Sequence, residues 1–183
     1  MVRGREPLIE MTLLIRELRS SDFDDILGYF YRFFDEAEKD PSFGIPIDFV
    51  KPSVGDELEW FAGMYKKMEG GDAVVMVAEI DSRVVGMCEV TRRSPGSPVS
   101  HRGDLGLAVG KDYRGKGVGA ALLQETLQRC KGRFEIIELA VFTTNEAAKR
   151  IYLRCGFKTI GVRKHAVKRG DRYFDEDLMQ LEI

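Results

Sequence analysis

Three glycines at alternate positions, Gly115, Gly117 and Gly119, follow a short apolar segment and open a stretch with helical spacing. Glycine is costly at a helix start unless the backbone must take positive φ or lie close to another group. The pattern points to a backbone that wraps an anion, with the dipole of the following helix adding attraction. A plain alternative is a tight strand-to-helix connection. Three phosphate-binding patterns compete for these residues. Gly110-Lys111-Asp112-Tyr113-Arg114-Gly115-Lys116 fits the opening of a nucleoside-triphosphate loop, but Gly117 stands where a Ser or Thr hydroxyl must hold magnesium. The dinucleotide pattern G-x-G-x-x-G, begun at Gly115, meets Ala120 at its third glycine, a tolerated exchange. It also needs a strand-helix-strand unit, whereas the preceding segments read as antiparallel strands.

The third pattern, Arg/Gln-x-x-Gly-x-Gly/Ala, is met at every specified position by Arg114-Gly115-Lys116-Gly117-Val118-Gly119. With Leu105-Gly106-Leu107-Ala108-Val109 before it and Leu122-Leu123 after it, the chain resembles the GNAT N-acetyltransferase superfamily from about Thr12 to Ile183. The resemblance implies acetyl-CoA as co-substrate and no metal. It implies that the backbone amides of Arg114, Gly115, Lys116, Gly117, Val118, Gly119 and Ala120 wrap the pyrophosphate. The pantetheine arm would then lie along Leu107, Ala108 and Val109 like an added strand, with the Val109 N–H polarising the thioester carbonyl.

Asn145 and Tyr152 are two helical turns apart, so they face the same way at a spacing of about 10 Å. The same family pattern places Asn before Tyr at this spacing and then Gly-Phe, matched by Ile151-Tyr152 and Gly156-Phe157. It implies that Asn145 binds the pantetheine arm or bridges parted strands, and that Tyr152 protonates the departing thiolate. A tyrosine with pKa near 10 can give its proton to a thiolate forming beside it. Asn145 as a helix N-cap and Tyr152 as a core aromatic beside Ala148, Ile151 and Cys155 remain open. A general base must also take a proton from the acceptor amine. One branch of the family carries a glutamate five residues before the asparagine, where this chain has Ala140. Asp104 matches an acidic position of another branch and is the expected base; the alternative is a solvated strand-end charge, with water alone or an N-terminal carboxylate in the role instead. Glu89 and Glu138 are strand carboxylates whose facing is open, and the lone His101 and His165 receive no role.

These residues require a mixed scaffold. Thr12–Leu18 alternates as a strand, Ser20-Ser21-Asp22 caps a helix through Tyr29 and Phe33, and Asp56–Met68 regains helical spacing. Ala73–Ile80 and Val84–Thr91 form a hairpin about Asp81-Ser82-Arg83, although no glycine marks the turn. A strand Asp104–Val109, a helix Val118–Cys130, a strand Phe134–Phe142 and a helix from Asn145 to Cys155 follow. Phe157–Val167 and Arg172–Leu181 close the chain as a hairpin around Arg169-Gly170-Asp171. The expectation is one α+β domain, residues 12–183, with a mostly antiparallel sheet of about seven strands and about four helices, after a short extension 1–11.

Composition narrows the function classes. A net charge of −2 over 183 residues offers no basic excess for nucleic acid or an anionic membrane. Cys88, Cys130 and Cys155 lack the spacing of a zinc site or a disulfide framework. The polar start Met1–Glu10 and the lack of a spanning apolar run point to the cytoplasm. On the first helix Tyr29, Phe30, Tyr31, Phe33 and Phe34 precede Asp35, Glu36, Glu38 and Asp40, a wall suited to a cationic amine or else a core stripe with a solvated end. Lys164, Lys168 and Arg169 suit an acidic acceptor or the adenosine phosphate instead. The expected activity is direct acetyl transfer to a primary amine: a small amine, a polyamine, a protein lysine or an N-terminus. The alternative is a non-catalytic acyl-CoA-binding regulatory module, and a homodimer is compatible with either.

Overall fold

The computed structural model describes residues 12–40, 44 and 50–183, so the expected extension 1–11 and most of the loop at 41–49 lie outside the described residues. Strand β1 (Leu14–Glu17) is followed by a 3₁₀ turn (Ser20–Asp22) and helix α1 (Phe23–Lys39). Helix α2 (Val54–Glu69) begins at a capping box in which the Ser53 side chain accepts from the Asp56 N–H at 3.2 Å and Asp56 reaches back to the Ser53 N–H at 2.9 Å. Strands β2 (Ala73–Ile80), β3 (Arg83–Arg92) and β4 (Arg102–Val109) then form an antiparallel meander. Helix α3 (Val118–Cys130), strand β5 (Ile136–Phe142), helix α4 (Glu146–Arg154) and the hairpin β6 (Lys158–Arg169) and β7 (Arg172–Glu182) complete the chain.

The hairpin turn without glycine closes because Asp81 and Ser82 both take left-handed backbone, φ 51° and 60°. A two-residue turn that matches strand twist needs φ > 0 at both positions, and Asp tolerates it better than most residues. A register shift beside this turn, between Ala78 and Glu79, resets which β3 residues face which side of the sheet.

The sheet order is β1-β2-β3-β4-β5-β7-β6, and each face has its own core. On one face α3 packs Val118, Leu122, Leu123 and Leu127 onto Met76, Cys88, Val90 and Ile137, joined by Tyr152 of α4 and Phe157. On the other, α1 and α2 pack Ile26, Tyr29, Phe33, Phe61 and Met64 onto Val75, Val77 and Met87. A fully buried aliphatic or aromatic side chain is worth about 1.5–3 kcal/mol, so these two layers hold the central strands rigidly.

Among the named strands of the described residues, β4 and β5 alone pair in parallel, and the pairing is short: Arg102 with Ile136, Gly103 with Ile137, Asp104 with Glu138. Beyond Asp104 the two strands part. β5 stays with β7 along its whole length, Ile136 to Phe142, while β4 stays with β3 as far as Val109. The result is a wedge-shaped opening through the sheet.

Candidate active site

At the wide end of the wedge the chain leaves β4, makes a 3₁₀ turn over Lys111–Tyr113 and enters the glycine loop. Gly115 and Gly117 have φ 73° and 84°, a region that costs a residue with a side chain roughly 1–2 kcal/mol. Gly119 is different, because a Cβ there would meet Val109, Ile151 and Leu107 at ordinary distances of 3.5 to 3.9 Å. The protein alone does not demand glycine at 119; a ligand lying against the loop would.

The first helical bond at the start of α3 runs from the Ala121 N–H to the Gly117 carbonyl, at 3.0 Å. Among the described residues the N–H groups from Gly115 to Ala120 therefore have no protein acceptor. Arg114 departs from expectation. Its N–H closes the 3₁₀ turn on the Lys111 carbonyl at 3.3 Å, so the open run starts one residue later. Its guanidinium turns to α1, paired with Glu36 at 2.7 and 3.1 Å, and its Nε donates to the Val109 carbonyl at 2.7 Å. Lys116 leans over the Tyr113 ring, with Nζ 5.8 Å from the centroid. The first turn of α3 carries no acid, whereas α1, α2 and α4 open with Asp24 and Asp25, Asp56 and Glu57, and Glu146. An anion at α3 thus meets N–H groups and a favourable dipole with no competing carboxylate.

Antiparallel pairing decides which β4 backbone groups face the wedge. Gly110 donates to Val85 and Arg93 to Arg102, each at 2.9 Å, and the β3–β4 register between them is unbroken. Bonded pairs alternate, so Ala108 and Gly106 exchange hydrogen bonds with Met87 and Glu89, while Leu107 and Val109 point away from β3 into the wedge. Ala108 lines the wedge cavity, as expected of a residue beside the ligand, but it offers that ligand no free backbone group. Its backbone is spent on β3, and its carbonyl also accepts from the Tyr29 hydroxyl. Leu107 and Val109 offer the groups an added strand needs, with the Val109 carbonyl shared with Arg114.

A cavity of about 260 Å³ occupies the wedge and joins the two sheet faces, with Tyr152, Ala148 and Asn145 entering from α4 and Phe30, Met87 and Glu89 from the α1 side. Tyr152 is 6% exposed and sits edge-on to Phe157. Burial raises its pKa first, and the charges of Cys88 and Glu89 add to the rise. Its hydroxyl has no hydrogen-bond partner among the described residues. Asn145 does cap α4, its Oδ1 accepting from the Ala148 N–H at 3.1 Å. Its Nδ2 is turned to Gly44, where a Cβ would come within 2.6 Å. Asn145 and Tyr152 thus share one cavity, as their spacing predicts. Ala140 lines it too, without a carboxylate.

Asp104 is not brought to that cavity. Its side chain is 53% exposed and ion-paired with Arg93 at the closed end of the seam, where Arg93 also holds Glu138 at 2.6 Å and Arg102 pairs with Glu138. Glu138 is pulled below its ordinary carboxyl value by the Arg102 hydrogen bond first and by Arg93 next. The carboxyl inside the cavity is Glu89, opposite Gly106. Alternation from Met87 would have placed it on that face, but the register shift at the preceding turn hides the phase in the sequence.

Beside the wedge, on the α1 face, lies a cleft of about 430 Å³ floored by Asp104, Glu138, Ile160, Arg163 and Leu178. It meets the wedge at Leu105 and Ala140, which line both. Of the two readings of α1, a wall of aromatics and acids for a cationic amine or a core stripe with a solvated acidic end, the structure fits the second. Tyr29 and Phe33 are core, Phe30 packs on Trp60 at 5.1 Å, Glu36 is taken by Arg114, and Asp35 faces Lys51 at 3.6 Å. The 3.6-residue period turns Tyr29 and Phe33 inward, whereas Tyr31 stays half-buried under Lys51, with Nζ 4.2 Å from its ring centroid. The closing basic segment is dispersed as well: Lys164 pairs with Asp175 at 2.8 Å, and Arg169 is buried against the Phe142 and Phe174 rings. Among the described residues no group of three or more His, Cys, Asp and Glu side chains is placed to hold a metal, and no helix is long and apolar enough to cross a membrane.

A seven-stranded sheet parts between β4 and β5, and the glycine loop with its open N–H groups lies at the gap, an arrangement suited to a phosphate-bearing ligand with an extended arm. The chain belongs to the acetyltransferase (GNAT) family, whose profile matches residues 28–157. It is 34% identical over 103 residues to the L-amino acid N-acetyltransferase AaaT of Escherichia coli (strain K12), covering 55% of this chain and 62% of that protein. It is 29% identical over 130 residues to a phosphinothricin N-acetyltransferase of Alcaligenes faecalis, covering 70% of this chain and 66% of the relative. The chain therefore spans just under two thirds of the length of both. A GNAT-family acetyltransferase structure from Streptococcus pneumoniae superposes with TM-score 0.81 at 24% identity, over 94% of this chain and all of that one (100%). The structure of yncA from Salmonella typhimurium, solved with acetyl-CoA, gives 0.79 at 17% identity, over 93% and 94%.

Proposed function

We propose that this protein transfers the acetyl group of acetyl-CoA to a primary amine in a direct ternary complex. The observation that carries the reading is the wedge between β4 and β5, with unpaired loop N–H groups at its mouth and Tyr152 within it. Pyrophosphate oxygens accept from the N–H groups of Gly115 to Ala120. The pantetheine arm bonds to the backbone of Leu107 and Val109, and the thioester stops beside Tyr152. The Val109 N–H stabilises the oxyanion that forms as nitrogen adds, and Tyr152 gives its proton to the leaving sulfur. The acceptor enters from the opposite face, through the cleft that meets the wedge at Leu105 and Ala140.

The names of the relatives make L-amino acids the first acceptors to try. Polyamines and peptides with free N-termini come next. Acetyl-CoA at a hundredfold over its Kd is expected to stabilise the fold by about 2.7 kcal/mol, raising Tm by several degrees. Gly117→Asp, with a side chain at left-handed φ and a negative charge at the loop, is expected to abolish that rise. An unchanged Tm with acetyl-CoA, or no coenzyme A release with any amine, defeats the proposal. Binding without transfer would favour a non-catalytic acyl-CoA module, the reading that Ala140 first suggests.

A further inference from the structure

We propose that Glu89 is the group that accepts the proton of the acceptor amine, a reading that rests on the acetyltransfer proposed above. Three geometric facts point to it. Glu89 lines the cavity that Tyr152 also lines, but from the α1 side of the sheet, the side of the acceptor cleft. Its cross-strand partner is Gly106, and any Cβ there would collide with the Glu89 carboxyl, coming within 2.8 Å of its Cδ. The missing side chain at 106 is what lets the carboxyl lie flat over β4 at the edge of the wedge. No arginine or lysine of the described residues bonds to it, in contrast to Asp104, Glu138 and Glu176, each of which holds a guanidinium.

The charged and titratable groups around it are the Tyr29 hydroxyl from α1, the Tyr152 hydroxyl from α4, Cys88 next to it on β3 and Asp104 further along β4. None is a cation. Burial accordingly lifts the carboxyl to about 7, against a smaller pull from its own backbone N–H. A carboxyl raised toward neutral pH is a stronger base than one in the ordinary range, which lessens the cost of taking a proton from an ammonium.

The step balances. Glu89 takes one proton from the ammonium, and the freed lone pair forms the C–N bond at the thioester carbon. The C–S bond then breaks with its electron pair on sulfur, which takes the Tyr152 proton. The second nitrogen proton returns through solvent to the Tyr152 oxygen, and Glu89 releases its own to water. One proton leaves overall.

The test is Glu89→Gln, which keeps shape and packing, measured as kcat/KM against pH beside wild type and Asp104→Asn. The expected result is an acid limb near pH 7 in wild type and Asp104→Asn. In Glu89→Gln that limb is gone, turnover falls ~100-fold and acetyl-CoA affinity stays at the wild-type value. Folding is checked by Tm. A raised carboxyl value means that wild type loses stability as pH rises from the ordinary carboxyl range through about 7, so Glu89→Gln is expected to melt no lower than wild type at pH 8. A variant that turns over within threefold of wild type, or keeps the limb, overturns the inference, as does loss of the limb in Asp104→Asn alone. Wild type that transfers to no amine defeats the acetyltransfer reading itself, whereas active wild type with a normal Glu89→Gln variant defeats only the role of Glu89.

Discussion

The seam between β4 and β5 has a closed end and an open end, and each end carries carboxylates with opposite surroundings. At the closed end Asp104 and Glu138 sit on paired strands and are tied by Arg93 and Arg102. These ion pairs hold Glu138 below its ordinary value and make it a strut between strands. At the open end Glu89 faces a cavity without a guanidinium, and burial moves it the other way. A carboxylate that already has a cation is ill-suited to hold an incoming proton, whereas one that lacks a cation has no other way to relieve its burial. Position on the same sheet face is shared by Asp104 and Glu89. The difference in partners separates them.

The largest effect should come from removing the acid at the open end. Tyr152→Phe is expected to lower kcat by about 100-fold or more while acetyl-CoA affinity holds, because the ring keeps its packing on Phe157 and only the hydroxyl is lost. An unchanged rate of the chemical step in a single-turnover assay would remove Tyr152 from the chemistry. A smaller effect, about tenfold in kcat, is expected from Gly106→Ala. The added methyl displaces the Glu89 carboxyl, the end of a flexible side chain, so the strand pairing survives. Pushed toward water, the carboxyl loses part of its burial, and the acid limb of the pH profile should move below 7. A limb that stays in place would mean that the limb does not report Glu89.

Much of the scaffold could be read from the chain because its signals are local. Ser53 and Asp56 cap α2, Asn145 caps α4, and the positive φ of Gly115 and Gly117 was already implied by their glycines. The proposed donor site is a continuous stretch from Leu107 to Ala120 and inherits that legibility. What local signals miss is set by pairing between distant strands. The wedge exists because β5 follows β7 rather than β4, a choice made by residues 136–142 and 176–182 together. The facing of Glu89 depends on a register shift at the β2–β3 turn, and its fitness depends on Gly106, a residue of another strand. The α1 aromatics leave both of their readings open for a related reason, since their run of consecutive rings hides which of them a helix turns inward.

The smallest effect is expected at the closed end. Asp104→Asn removes one partner of Arg93, but the guanidinium keeps Glu138 at 2.6 Å, so no buried charge is stranded. With side-chain exposures of 38% and 53%, the Arg93–Asp104 pair lies near water, where such pairs contribute about 0–1 kcal/mol. Tm should fall by no more than roughly 2–4 °C in a domain of this size. Turnover should change far less than in either open-end variant, because the strand pairing from Arg102 to Asp104 that sets the apex of the wedge stays in place through backbone bonds. A turnover loss that matched Tyr152→Phe would erase the contrast between the two ends and return the proton-accepting role to β4.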